Sequence, residues 1–189
     1  MCRDQAIDEF EHNGLTVKVY PDFDPINPRE WDNMGHMVCF HRRYKLGDDH
    51  DFDPETLLEF VADDDVIALP LHLLDHSGLW MQTGQFACDP QGWDSGMVGY
   101  IYALEPEALR MLGVDKMTPQ TRKQIVTILQ QEVETYSEYI SGDVYGFVAS
   151  CPVCGCDIDS CWGFYGSDYD ENGMTDHIGY CDCQMQRPA

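Results

Sequence analysis

The stretch Thr118-Pro119-Gln120-Thr121-Arg122-Lys123-Gln124-Ile125-Val126-Thr127-Ile128-Leu129-Gln130-Gln131-Glu132-Val133-Glu134-Thr135-Tyr136-Ser137-Glu138-Tyr139-Ile140 decides the fold class. Ile125, Leu129, Val133, Tyr136 and Ile140 recur at helical spacing, with Ile128 alongside. They predict one long helix with a single apolar stripe, the face that packs on a sheet. Thr118 is a suitable cap and Pro119 suits the first turn. Ser141-Gly142-Asp143 ends the helix.

Strand signals lie on both sides of this helix. After it, Asp143 to Val148 opens a hairpin, and Ile158 to Tyr165 is the return strand. Before it, Leu15 to Tyr20, Gly35 to His41, Val66 to Leu74 and Met97 to Tyr102 are rich in β-branched, aromatic and apolar residues and read as strands. Val66 to Leu74 is the most apolar and is expected at the centre of the sheet. Asp53-Pro54-Glu55 starts a helix, and Glu105-Pro106-Glu107 opens another that runs to about Leu112. The opening Cys2 to His12 is polar and is expected as a short helix or a loose end. Strands and helices do not alternate regularly. The expected class is therefore α+β: a mixed or mainly antiparallel sheet packed by helices on one face, with a Cys-rich C-terminal hairpin and tail. The expected partition is one acidic domain over 1–166 and a tail over 167–189 packed on the 144–165 hairpin.

The 189 residues carry 34 acids against 11 Lys plus Arg, a formal charge of −23. No Lys or Arg occurs between Lys45 and Arg110 or between Lys123 and Arg187. Such a surface repels nucleic acids and anionic membranes and attracts basic partners or divalent cations. The same acidity also serves solubility or a high-salt habitat. No apolar run approaches the roughly 20 residues needed to span a bilayer. The N-terminus lacks the basic-then-apolar pattern of a signal peptide, so a cytoplasmic location is expected.

Six of nine cysteines crowd into the last 39 residues. Cys151-Pro152-Val153-Cys154-Gly155 has the spacing of a zinc knuckle, and Cys181 and Cys183 can complete a shell of four after a 26-residue insert. Cys156, Cys161 and His177 are reserve ligands. A structural zinc held by Cys151, Cys154, Cys181 and Cys183 is the expected cofactor. Reduced cysteines around a hairpin turn are the alternative. Asp168-Tyr169-Asp170-Glu171-Asn172-Gly173 matches half of a calcium loop but lacks the closing Glu. No nucleophile elbow, H-E-x-x-H or phosphate-binding loop is present, so no catalytic residue is assigned.

Several segments together resemble a family of small acidic proteins carried by bacteriophages, plasmids and conjugative elements. They are Arg29 to Tyr44, Leu69-Pro70-Leu71, Asp75-His76-Ser77-Gly78, Trp93-Asp94-Ser95-Gly96, Gly142 to Phe147 and Asp159 to Gly166. The resemblance implies a mobile-element setting and no mechanism. The Cys151–Cys154 knuckle and the tail after Gly166 depart from it. Charge and setting together lead to an expected function: binding and inhibiting a basic or nucleic-acid-binding host or defence protein, as a DNA mimic. Asp48, Asp49, Asp51, Asp53, Asp63, Asp64 and Asp65 are the expected contact charges, with no direct contact to nucleic acid or membrane. A small-ligand module built on the 75–78 and 93–96 loops is the alternative, and a metal-dependent enzyme is the least favoured reading.

Overall fold

The computed structural model describes residues 5–185. The described chain is an α+β protein with two antiparallel sheets of four strands each, three helices and short helical turns. It divides into two compact units at Ile26/Asn27 and Ser141/Gly142. One unit is the central segment. The other combines the two ends of the chain, so the division does not fall at 166/167.

The strands of the central unit follow β1 (Asp8–His12) and β2 (Leu15–Pro21) of the terminal unit along the chain. They are β3 (His36–Cys39), β4 (Val66–Asp75), β5 (Leu79–Thr83) and β6 (Ser95–Leu104), in the order β3-β6-β4-β5. Val66 to Leu74 is thus an interior strand, as its apolar sequence requires. Helix α3 (Pro119–Ser141) buries Ile125, Leu129, Val133 and Tyr136 against Leu71, Leu73, Met81 and Ile101. The periodic stripe is therefore the core face. Between α1 (Pro54–Val61) and α3 lies α2 (Glu105–Leu112). Helix α1 packs Leu57 with Val38, Val66 and Tyr102, which alternate with the α3-facing residues along their strands. Helices therefore cover both faces of this sheet, not one as the sequence reading expected. One close approach requires a glycine: a Cβ at Gly99 would lie 1.9 Å from the Val38 carbonyl oxygen across the β3–β6 pair.

The terminal unit has the strand order β1-β2-β7-β8, with β7 (Val144–Ser150) and β8 (Asp157–Tyr165) forming the expected hairpin. Leu15, Val17, Val19, Phe147, Ala149 and Phe164 form its core with Met174, Ile178 and Cys181 from the tail. The segment expected as a short helix or loose end contains an edge strand instead. Asn13 and Gly14, with φ of 50° and 72°, make the two-residue turn that folds β1 back on β2. No helix among the described residues is long and apolar enough to cross a membrane.

Two carboxylates hold local backbone in the central unit. Asp53 caps α1 by accepting from the Glu55 and Thr56 N–H groups, while its own N–H reaches Thr56 Oγ1. Asp89 accepts from the N–H groups of Trp93, Asp94 and Ser95, closing the loop before β6. Both are held below the usual carboxylate range, Asp53 chiefly by Thr56 and Asp89 chiefly by the N–H of Asp94. A carboxyl with a lowered folded pKa binds fewer protons folded than unfolded. Its contribution is complete above the unfolded value of about 4 and is lost as pH falls through the lower folded value. Resistance of the wild type to thermal unfolding is expected to fall between about pH 5 and about pH 2, and that of Asp53→Asn to fall less over that interval, because its cap no longer titrates.

Candidate metal centre

The β7–β8 connection begins as soon as Ser150 leaves the ladder. Gly155, at φ 73°, lets the chain turn so that its N–H donates to the Cys151 carbonyl at 2.8 Å. The Cys151 N–H donates to the Cys156 carbonyl at 2.9 Å, closing the knuckle. The second cysteine pair comes from the tail. Met174 and Ile178 are buried in the core of the terminal unit, and the Asn13 side chain donates to the Ile178 carbonyl at 2.8 Å. This anchorage delivers Cys181 and Cys183 to the knuckle, at the start of the helical turn α4 (Asp182–Met185).

The four sulfurs of Cys151, Cys154, Cys181 and Cys183 lie within 4.8 Å of one another. The closest pairs are Cys181–Cys183 at 3.1 Å, Cys151–Cys183 at 3.4 Å and Cys154–Cys181 at 3.7 Å. A tetrahedral ion with sulfur at about 2.3 Å places its ligand sulfurs about 3.8 Å apart, so the cluster has the size of a four-thiolate shell. These are the four residues that the spacing selects, and they sit close enough to hold a metal ion.

The electrostatics agree with the geometry. Cys151 is pushed down to about 6, first by the N–H of Cys154 and then by that of Val153 and the thiols of Cys183 and Cys181. Cys154 is lowered first by the N–H of Cys156. Cys183 is pushed up, first by its hydrogen bond with the Cys181 thiol and then by that with Cys151, with the Cys151 charge contributing least. Within the cluster, Cys151 and Cys154 are thus lowered and Cys183 is raised. Metal uptake by such a cluster releases protons.

The reserve ligands stand apart from this group of four. Cys161 is half-buried and directs its sulfur at the Trp162 carbonyl. His177 packs its ring against Phe164. Cys156 is exposed beside Cys154. The half-matched calcium loop turns its carboxylates onto its own turn: Asp168 accepts from the N–H groups of Asp170 and Glu171, and Asp170 from the Thr175 hydroxyl.

The acidic residues lie in the central unit and divide into two kinds. Asp48 faces inward. Its carboxylate takes a two-pronged contact from Arg29, at 2.8 and 2.9 Å, and the N–H of Met37 at 2.7 Å. The Arg29 side chain is only 5 % exposed and also reaches Glu132 of α3 at 3.2 Å. Burial opposes the guanidinium charge, yet Asp48 and Glu132 more than offset this and raise its pKa. Glu132 in turn accepts from the N–H groups of Met34 and Gly35. Asp48 therefore clamps the 29–48 region to α3 and is engaged internally rather than offered outward. Asp49, Asp51, Asp53, Asp63, Asp64 and Asp65 are exposed. Asp49 meets Lys45 at 2.7 Å. The sequence reading omitted Glu55 and Glu59, which are exposed on α1 between Asp53 and Asp63. Their i, i+4 spacing, which puts both on one helix face, was the available signal.

Fold and site together define an α+β protein with a four-cysteine cluster able to hold a metal ion. Comparison with family models, with curated proteins and with solved structures gives no match.

Proposed function

We propose that this is an acidic binding protein, stapled by a structural zinc, that engages a basic, nucleic-acid-binding protein in place of its nucleic acid. The observation that supports the reading is the band around α1. Asp51, Asp53, Glu55, Glu59, Asp63, Asp64 and Asp65 are exposed, and none has an ion-pair partner among the described residues. An eight-residue helix is about 12 Å long, so these charges are spread over a distance comparable to several phosphates of a duplex strand. Complementary charge gives fast association that weakens with salt. The resemblance to proteins of mobile elements supports a host or defence protein as the target.

Zinc is the reading of the metal because four thiolates in a closed shell suit its tetrahedral preference. A closed shell leaves no open position for substrate, so the ion holds the tail onto the β7–β8 hairpin and supplies no catalysis.

The test is capture from host lysate with the tagged protein, followed by displacement with duplex DNA. A retained DNA-binding protein should be displaced by DNA and lost on raising salt from about 50 to about 500 mM. The triple variant Glu55→Lys, Glu59→Lys, Asp64→Lys, which leaves the Asp53 cap intact, should lower capture at least ~10-fold. Capture that neither DNA nor the triple variant affects would overturn the reading.

A small-ligand role has its own supporting observation. A cavity of 660 Å³ is lined by Leu74, His76, Trp80, Phe86 and Asp94, and His76 Nδ1 lies 2.9 Å from Asp94 Oδ2, joining the two loops named for that role. A metabolite that co-purifies and raises the melting temperature would favour it.

A further inference from the structure

We propose that Cys154 and Cys156 form an oxidation site through which peroxide opens the metal centre. This rests on the zinc reading above. The cluster contains four candidate ligands and, beside them, a fifth thiol. Cys156 directs its sulfur at the Cys154 carbonyl at 3.9 Å, and its carbonyl is held by the Cys151 N–H. The two exposed cysteines of the knuckle are Cys154 and Cys156, whereas Cys151 and Cys181 are buried. A ligand that solvent can reach therefore sits next to a thiol that the four-sulfur shell does not need.

This arrangement separates the roles that oxidation chemistry requires. Cys154 is the exposed member of the four, so peroxide reaches its sulfur while Cys151 and Cys181 are shielded by burial. Its attack on hydrogen peroxide forms an S–O bond, breaks the O–O bond and releases hydroxide, which takes up a proton as water. The product is a sulfenic acid. The Cys156 thiol then attacks that sulfur. An S–S bond forms, the S–O bond breaks, and the oxygen leaves as a second water carrying the Cys156 proton. Two thiols supply the two electrons and the peroxide accepts them. The disulfide removes Cys154 from the shell, and three remaining thiolates no longer close it. Thiol reductants reverse the step. Cys156 acts as the resolving residue, and the buried pair Cys151 and Cys181 is spared.

The experiment uses the full chain, purified reduced and loaded with zinc, and treated with hydrogen peroxide. Zinc release is followed with a chromogenic chelator, and disulfides are mapped by peptide mass. Wild type should release its zinc with formation of a Cys154–Cys156 disulfide. Cys156→Ser should bind zinc at the same ratio and release it at least ~5-fold more slowly, because no resolving thiol follows the first oxidation. Release from Cys156→Ser at the wild-type rate, or a disulfide that maps to another pair, would overturn the proposal. Reduced protein without zinc would instead refute the zinc reading. The mass map then still decides whether Cys154 and Cys156 pair.

Discussion

Replacing Cys151 with serine is expected to abolish stoichiometric zinc binding and to lower the melting temperature of the terminal unit by on the order of 10 °C. Cys151 is 1 % exposed, and its backbone closes the knuckle through both its N–H and its carbonyl. The β7–β8 ladder is expected to survive the substitution, because Phe147 and Ala149 pack on Val17 and Val19. The tail is expected to depend on a bound ion more heavily. Its anchors are Met174, Ile178 and the Asn13 contact, and Cys181 and Cys183 lie beyond them. An ion bound at about 1,000 times its dissociation constant contributes about 4 kcal/mol to whatever folds around it, and a small unit shifts by several degrees for each of these. Metal analysis with calorimetry checks the two effects together. Hydrogen exchange should show faster opening at 174–183 with little change in α3. Cys88→Ser, an exposed cysteine outside the cluster, is the control and should leave metal content and melting unchanged. Full stability in zinc-free Cys151→Ser would remove the structural role of the ion.

Arg29→Ala is expected to destabilise the central unit by about 3 kcal/mol, the cost of leaving carboxylates without their buried cation. Asp48 and Glu132 would lose a shared positive partner while still held by the N–H groups of Met37, Met34 and Gly35. Arg29→Lys should recover part of the loss. An ammonium keeps the charge but cannot make the two-pronged contact with Asp48. The order wild type, Arg29→Lys, Arg29→Ala in urea unfolding is the measurement. Equal stability of wild type and Arg29→Ala would show that the network contributes no net stabilisation. Asp48→Asn should behave like a milder Arg29 variant, with no special effect on capture of a basic partner, because this carboxylate is engaged internally.

Much of the fold was legible because the signals were local. The stripe from Ile125 to Ile140 repeats within one helix; Ile125, Leu129, Val133 and Tyr136 are buried, and Ile140 and the flanking Ile128 are half-buried. The Asp53-Pro54 start of α1 carries its own cap, and the structure forms it as a capping box with Thr56. The apolar run at Val66 is an interior strand. Two strands escaped. Leu79–Thr83 is short, and its place is secured by a distant group: the Met81 N–H donates to the Ser137 hydroxyl of α3 at 2.8 Å. Asp8–His12 is polar because it is an edge strand with mostly exposed residues, so it lacks the apolar alternation of a half-buried strand. Its signal was the Asn13-Gly14 dipeptide, a hairpin turn that accepts positive φ at both positions.

The sequence by itself determined the α+β class, the long helix and its buried face, the knuckle at Cys151–Cys154, and the excess of acid over base. Each of these is written in neighbouring residues or in composition. Only the tertiary structure decided that the strands form two sheets, that the ends of the chain share one of them, and that Cys151 meets Cys183 across 32 positions. It also decided that Asp48 faces Arg29 while Asp51 faces solvent. Such pairings depend on which apolar faces bury together and which buried charges must be balanced. Those are choices between distant segments, and local sequence carries no record of them.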